Sequence, residues 1–186
     1  VDLTKWLRDC LLTWLPHLEE RVAFYLWTAA MQEGAAAAAA AAGIHIQSQL
    51  IWVKNCLTLG QADYQWRHEN CWYGFLKGKH HRWNGGRAQT TVWEIAKDSN
   101  ASYKHPMQKP LELFTRPMEN HTESGDICAE PFSGSGSQLI AAEKFGRRCY
   151  AVEIEPRYVD VAVRRWQNFA HKQAKNLTRP EVTIPC

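Results

Sequence analysis

Hydrophobic and polar residues follow periods that predict one helix and three strands in the first half of the chain. Between residues 3 and 15, leucine, tryptophan and cysteine recur at three- and four-residue steps, which indicates an amphipathic helix that ends at Pro16. The continuous apolar run at residues 22–27 predicts a strand covered on both faces. Residues 44–54 predict a second strand, and residues 64–76 predict a third that is broken by polar residues in its middle.

A run of alanines, residues 35–42, separates the first two predicted strands. Alanine has the highest helix propensity and Gly43 is a suitable helix end, so the run predicts a helix. Because this helix offers almost no side chain for packing, we assign it no function.

The second half contains a strand, a turn, a helix and a second strand between residues 126 and 158. A short apolar run at residues 127–129 predicts a buried strand, and Pro131 stops its pairing. Good helix formers occupy residues 138–145, and a second strand is predicted at residues 148–154. Together, the two strands and the helix between them predict a compact β-α-β unit with a right-handed crossover. Further helices are predicted at residues 111–120 and 157–172, followed by a frayed tail over residues 173–186.

The turn inside this unit indicates a ligand. Gly134 and Gly136 allow the backbone to turn sharply and to approach a ligand closely. Glu153 lies 19 residues after Gly134, near the place where nucleotide-binding folds carry the carboxylate that binds ribose hydroxyls. The unit therefore predicts a site for a cofactor that contains a nucleoside.

Composition limits the class of protein. A chain of 186 residues with 45% hydrophobic and 22% charged residues has the size and composition of one globular domain. The six cysteines form no C-x-x-C pair, which favours buried reduced thiols over a zinc site or disulfides. The sequence shows no membrane-length apolar run and no signal peptide, so we expect a cytoplasmic protein without a metal.

The net charge of +3 is small, so any nucleic-acid surface must be a local patch. Residues 77–103 form the candidate patch, because they are basic, contain Trp83 and Trp93, and lack a helical period. Basic residues interleaved with aromatic rings are typical of phosphate contacts with base stacking. A solvated loop explains the same composition, and the pattern alone leaves both interpretations open.

Several motifs together resemble the DNA methyltransferases that use S-adenosylmethionine to methylate N6 of adenine or N4 of cytosine. HPMQKPLEL at residues 105–113 resembles the family's HPTQKPxxL. Residues 129–166 resemble its DPFxGSGSTLxAAxxxGRxxxGxExxPxYxDxxxxRW, and QLIWVKN, ADYQWRHENCWYGF and QTTVWE match segments ahead of these. The order of the motifs resembles the circularly permuted methylases of phages and prophages. The resemblance implies a Rossmann-like α/β fold, with a mostly parallel sheet, one antiparallel strand from residues 64–76 and helices on both faces.

The resemblance also implies site residues. The cofactor S-adenosylmethionine would be held at its methionine and adenosine parts by Glu130, Phe132, Ser133, Gly134, Ser135 and Gly136, at the ribose by Glu153, and at the methionine end by His105, Gln108 and Lys109. Two positions depart from the family pattern: Glu130 replaces its Asp, and Met107 replaces a Thr whose hydroxyl would give one more polar contact.

Residues 77–104 lie where the permuted family has its target-recognition segment. The resemblance therefore implies that this segment contacts double-stranded DNA. Its basic side chains would contact phosphates, and its polar or aromatic ones would contact bases or fill the space left by a flipped base. The candidates are Lys77, Lys79, His80, Arg82 and Arg87 for phosphates and Trp83, Asn84 and Gln89 for bases.

The family's catalytic motif, Asp/Ser/Asn-Pro-Pro-Tyr/Trp, does not occur, because the 186 residues contain no Pro-Pro pair. In the permuted order this motif precedes a helix like that at residues 3–15. We therefore expect the catalytic tetrapeptide upstream of Val1, and the chain to be the C-terminal part of a longer protein. The strand that carries the motif would lie beside the strand at Ile127, so the sheet should be interrupted between Ile127 and Val22 or completed by another segment.

The hypothesis that follows is a methyltransferase of a restriction-modification system or a phage, with adenine N6 favoured over cytosine N4, and a homodimer is compatible with it. Two alternatives remain open at this point. One is a catalytically inactive methyltransferase-like subunit that binds DNA, and the other is a dinucleotide-dependent oxidoreductase.

Overall fold

The computed structural model describes residues 2–29, 34–97 and 109–177. Helices and strands are interspersed along this part of the chain, with three strands following one another directly in its middle. The helices are α1 (Leu3–Trp14), α2 (Gly34–Ala41), α3 (Glu112–His121), α4 (Ser137–Lys144) and α5 (Pro156–Ala170). The strands are β1 (Ala23–Thr28), β2 (Ile44–Thr58), β3 (Trp66–Leu76), β4 (Val92–Glu94), β5 (Ile127–Glu130) and β6 (Arg148–Ala151).

These strands form a mixed sheet of four and a parallel pair. The larger sheet has the order β1-β3-β2-β4; β3 is antiparallel to β1 and β2, whereas β4 is parallel to β2. The second sheet consists of β5 and β6, which are parallel. The predicted α/β fold with one antiparallel strand from residues 64–76 is therefore confirmed.

The two sheets are separated by a cavity between β1 and β5. In the described ranges, β1 pairs only with β3 and β5 pairs only with β6. The cavity has a volume of about 770 Å³ and is lined by β1, β5, α1 and the loop after β5. The predicted interruption of the sheet is confirmed, and it explains why residues 23–27 are only half-buried. The expectation that this strand is covered on both faces is confirmed, because Leu26 packs against α1 and α2 while Tyr25 and Trp27 pack against the core cluster on the other face; only its edge borders the cavity.

Helices pack on both faces of the larger sheet, as predicted. On one face, Leu7 of α1 and Ala38 of α2 pack against Leu26 and Trp72. On the other face, Leu113 of α3 joins a core cluster that is completed by Leu50, Trp52, Cys71, Tyr73, Trp93 and Ile95. A separate cluster of Met118, Cys128, Ala141 and Ala142 joins α3 and α4 to β5.

Two differences from the predicted elements matter for the site. Strand β2 continues to Thr58 and pairs there with Trp66, so β2 and β3 form a hairpin that extends beyond the end of β4. Strand β4 lies within residues 77–103, where the sequence shows no helical period. A three-residue strand is too short for its pattern to be recognised.

The cysteines that the structure describes are free thiols. Cys71 and Cys128 are buried, and burial raises the pKa of the Cys128 thiol to about 11. Cys56 is exposed, contrary to expectation, because it lies on the projecting part of β2. Among the described helices, none has the length and apolar character needed to cross a membrane.

Candidate functional site at the carboxyl edge of the strands

A glycine turn connects β5 to α4 and forms the centre of the site. The N–H of Gly136 donates to the carbonyl of Ser133 at 2.9 Å, which closes the turn. Gly134 and Gly136 have φ angles of +52° and +76°, in the left-handed region that favours glycine. A Cβ on Gly136 would lie 2.6 Å from the Cβ of Ala162 in α5, so this glycine is also needed for helix packing.

Glu153, which follows β6, is held against this turn. Its Oε2 accepts the N–H of Gly134 at 2.7 Å, and its Oε1 accepts the N–H of Glu155 at 3.0 Å. The N–H of Ser133 donates to the carbonyl of Val152 at 3.0 Å and ties the turn to the same strand end. A carboxylate has about four acceptor positions, so two backbone donors leave capacity for ligand hydroxyls.

Glu130, at the end of β5, is the second acidic group of the site. Burial raises the pKa of its carboxyl, while the N–H of Phe132, which donates to it at 3.1 Å, and the nearby Lys109 ammonium act in the opposite direction. The side chain of Phe132 remains half-exposed. The side chains of Glu130 and Phe132 both border the cavity between the two sheets.

The catalytic residues are the part of the predicted site that falls outside the described structure. The tetrapeptide is expected upstream of Val1, and Val1 itself lies outside the described residues, which start at Asp2. The first turns of α1 lie beside the cofactor-binding candidates, because the rings of Trp6 and Phe132 pack with centroids 5.6 Å apart. This position is compatible with the expectation, and the place of the tetrapeptide stays a prediction.

Ser135 and Ser137 are buried and support the turn. Arg165 of α5 donates to the carbonyl of Ser135 at 2.6 Å and to its Oγ at 2.8 Å. The Ser137 hydroxyl donates to the carbonyl of Lys109 at 3.2 Å. Arg165 was not among the predicted site residues, although it stands in the Arg-Trp pair that ends the family pattern matched by residues 129–166.

A cluster of three charged side chains lies at the same edge. Glu69 of β3 accepts from Lys54 at 2.8 Å and from Lys109 at 3.0 Å. Burial opposes ionisation of Glu69, but the two ammonium groups together lower its pKa below the ordinary value. The sequence held a signal for this cluster, because Glu69 belongs to the polar interruption of the third predicted strand. The other predicted residues at the methionine end, His105 and Gln108, lie outside the described residues.

The predicted DNA-contacting segment begins at the opposite edge of the sheet. The N–H of Lys77 donates to the carbonyl of Gly43, which precedes β2, at 2.9 Å. Lys79 forms an ion pair of 2.7 Å with Glu20, which precedes β1. Arg82 forms an ion pair with Asp126, which precedes β5. The first part of the segment therefore runs along the amino ends of the strands, whereas the glycine turn and Glu153 lie at their carboxyl ends.

The remaining candidates for DNA contact are largely exposed. His80, Arg87 and Gln89 are on the surface, and the N–H of Asn84 donates to the carbonyl of Asn120 at 2.7 Å. The indole of Trp83 donates to the carbonyl of Gly86 at 2.8 Å. These residues do not come together with the cofactor-binding candidates, and their role in DNA contact stays a prediction.

A half-buried histidine lines the space between the two sheets at the amino edge. The Nε2 atom of His121 lies 2.9 Å from the Tyr25 hydroxyl oxygen, and its Nδ1 atom contacts the carbonyl of Arg82. Burial lowers the pKa of His121 to about 4 and raises the pKa of Tyr25, so both are neutral near pH 7. No sequence pattern indicates this pair, whose members are separated by 96 residues.

Comparison with known proteins agrees with this geometry. M1.HpyAVI, solved as a complex with SAM, has a TM-score of 0.76 and 21% identity, covering 89% of this chain and 84% of that one. The PvuII DNA methyltransferase, which is cytosine-N4-specific, has a TM-score of 0.64 and 15% identity over 83% of this chain and 70% of that one. These likenesses show the fold.

Curated proteins resemble part of the chain at higher identity. The type II methyltransferases M2.MboI of Moraxella bovis and M2.DpnII of Streptococcus pneumoniae are 33% and 34% identical over 86 and 85 residues, or 45% and 44% of this chain. The match spans about a third, 32%, of the length of each relative. A family model described as DNA methylase (N6_N4_Mtase) matches residues 50–164, which is more than half of the chain. The chain therefore belongs to the N6/N4 DNA methylase family.

Proposed function

We propose that this chain forms the cofactor-binding part of an enzyme that transfers a methyl group from S-adenosylmethionine to an exocyclic amino group in double-stranded DNA. We favour N6 of adenine over N4 of cytosine as the acceptor. The observation that carries the proposal is the position of Glu153, whose carboxylate is fixed 2.7 Å from the N–H of Gly134 at the carboxyl ends of two parallel strands. This is where ligands bind in open α/β sheets.

The residues present fit S-adenosylmethionine. The remaining acceptor capacity of Glu153 suits the two ribose hydroxyls. Ile154, which is 96% exposed, offers an apolar surface for the adenine ring directly after this carboxylate. Glu130 is a carboxylate whose burial raises its pKa, and the ammonium of the methionine part would favour its charged form. When bound, S-adenosylmethionine supplies an activated methyl group on a sulfonium.

This chain's contribution to transfer is orientation. An exocyclic amine is a weak nucleophile, because its lone pair is delocalised into the ring, so rate depends on holding donor and acceptor in line. Hydrogen bonds fix the turn, because Arg165 donates to the carbonyl of Ser135 and Glu153 accepts the N–H of Gly134. The fixed turn restricts where a bound cofactor can lie. Two interactions fix Lys109: its ammonium forms an ion pair with Glu69, and its backbone carbonyl accepts a hydrogen bond from the Ser137 hydroxyl.

The acceptor base needs groups that the described site does not include. No Pro-Pro pair occurs in the sequence, and the proposal requires the family's catalytic tetrapeptide to come from a segment other than these 186 residues. We propose that this segment fills the cavity between β1 and β5, which borders both Glu130 and Phe132. A strand there would pair with the open edges of both sheets and end beside the cofactor. The base itself must leave the duplex to reach this position.

The experiment combines binding with transfer. Calorimetry should show that the chain binds S-adenosylmethionine and not NAD, which separates a methyltransferase from a dinucleotide-dependent oxidoreductase. The full-length protein should transfer a tritiated methyl group to duplex DNA, and nucleoside analysis should find the label in N6-methyladenine. Binding of NAD alone would refute the proposal. Binding of S-adenosylmethionine and DNA without transfer by the full-length protein would identify an inactive subunit.

A further inference from the structure

The hairpin formed by β2 and β3 projects from the sheet at the edge that holds the cofactor-binding candidates. Strand β4 pairs with β2 only as far as Val53, and the register of β2 against β3 shifts between Val53 and Thr58. Beyond Val53, β2 continues for five residues, or about 17 Å at about 3.3 Å per residue. The hairpin leaves the sheet next to Lys54 and Glu69, which form the charged cluster with Lys109.

The tip of the hairpin is held in a fixed shape. The side-chain oxygen of Gln65 accepts the N–H of Gly60 at 2.7 Å, and its side-chain nitrogen donates to the carbonyl of Ala62 at 2.5 Å. One side chain therefore closes the loop from within. A loop that is already ordered loses little conformational entropy when it binds a partner.

The tip presents apolar side chains to solvent. Tyr64 is 91% exposed and Leu59 is 83% exposed, and Leu57 and Trp66 are exposed beside them. The ring of Trp66 packs edge-on against His68, with centroids 5.4 Å apart. A cluster of large exposed apolar side chains on a rigid projection is typical of an interaction site.

Several features favour duplex DNA as the partner. The major groove, about 12 Å wide, admits a two-stranded β-ribbon, and this hairpin is a ribbon about 17 Å long at the edge where a target base must arrive. Two of the basic residues at the opposite edge already form ion pairs within the protein, since Lys79 pairs with Glu20 and Arg82 with Asp126. Base flipping also leaves a gap in the stack that an inserted apolar or aromatic side chain can fill.

We propose that the hairpin at residues 55–66 enters the major groove of the DNA substrate, with Tyr64 and Leu59 contacting bases at its tip. This inference rests on the proposed function, because it takes DNA as the substrate. It assigns the main DNA contact to the hairpin at the carboxyl edge rather than to the predicted segment at residues 77–104, which begins at the amino edge.

The test compares loss of exposed apolar side chains at the hairpin tip with loss of an equally exposed leucine elsewhere on the surface. Fluorescence anisotropy on a mixed-sequence duplex should show at least tenfold weaker binding for Leu59→Ser/Tyr64→Ser. The matched control is Leu177→Ser, because Leu177 is 80% exposed and lies after α5; this variant should bind like the parent. Gln65→Ala, which opens the tip without removing an apolar side chain, should give an intermediate loss.

Further measurements separate this inference from the proposed function. Every variant should bind S-adenosylmethionine like the parent, and methyl green, a major-groove ligand, should compete for DNA where netropsin, a minor-groove ligand, does not. If the parent binds DNA and Leu59→Ser/Tyr64→Ser binds it equally well, the hairpin inference is overturned and the proposed function stands. Competition by netropsin alone would also overturn it. If the parent binds S-adenosylmethionine but no DNA, the proposed function fails and the inference fails with it.

Discussion

The two glycines of the turn should have separable roles, one in stability and one in cofactor binding. Both have positive φ, so alanine at either position costs about 1–2 kcal/mol of backbone strain. A Cβ on Gly134 meets no atom within 4 Å, and Gly134 lines the cavity. A Cβ on Gly136 lies 2.6 Å from Ala162 and 3.1 Å from Leu139, so overpacking adds about 1–3 kcal/mol.

We therefore expect Gly136→Ala to have a lower melting temperature than Gly134→Ala. The two variants share the backbone strain, so the difference comes from overpacking at Gly136. At about 2–4 °C per kcal/mol for a chain of this size, the difference is about 2–12 °C, measurable by circular dichroism. Gly134→Ala should instead weaken S-adenosylmethionine binding about tenfold or more in calorimetry, because its Cβ occupies space that the ligand approaches.

A double-mutant cycle tests the cause of the difference. Ala162→Gly removes the atom nearest to the added Cβ and by itself costs about 1 kcal/mol as a helix glycine. If the contact is responsible, Gly136→Ala/Ala162→Gly should be more stable than the sum of the single changes predicts, by about 1–2 kcal/mol. Strict additivity, or equal melting temperatures for the two glycine variants, would refute the reasoning.

Three further predictions follow from the charged and titratable groups. Glu153→Ala should weaken S-adenosylmethionine binding by about 1–3 kcal/mol in calorimetry, and an unchanged affinity would move the ribose site elsewhere. The pKa of His121 in the folded protein is lowered to about 4, so as pH falls below about 6.5 the unfolded chain takes up this proton first. The free energy of unfolding, measured in urea, should therefore fall by about 2 kcal/mol from pH 7 to pH 5. His121→Gln should remove this decrease. The double change Lys79→Ala/Arg82→Ala should leave the salt dependence of DNA binding unchanged in filter assays, whereas a slope reduced by about two would support phosphate contacts by these residues and contradict the hairpin inference.

Local signals in the sequence were sufficient for the cofactor-binding unit. The turn between β5 and α4 is encoded by Gly134 and Gly136, whose φ angles require glycine, and the spacing to Glu153 reflects one helix and one strand. Contacts between distant segments left a weaker signal. Arg165 stands in the family pattern and Glu69 in the polar interruption of the third predicted strand, but the partners of both side chains depend on how the elements pack.

The fold separates the basic segment from the hairpin that we propose as the DNA contact. Residues 77–87 contain several cations, but they follow β3, which runs opposite to β1 and β2. A segment that leaves an antiparallel strand starts at the edge where the parallel strands begin, so it starts away from a site at their carboxyl ends. The turn that enters β3 is at the other edge for the same reason. One reversed strand therefore places the hairpin tip, which carries no basic residue, at the same edge as the cofactor turn, and leaves Lys79 and Arg82 to pair with Glu20 and Asp126 at the other edge.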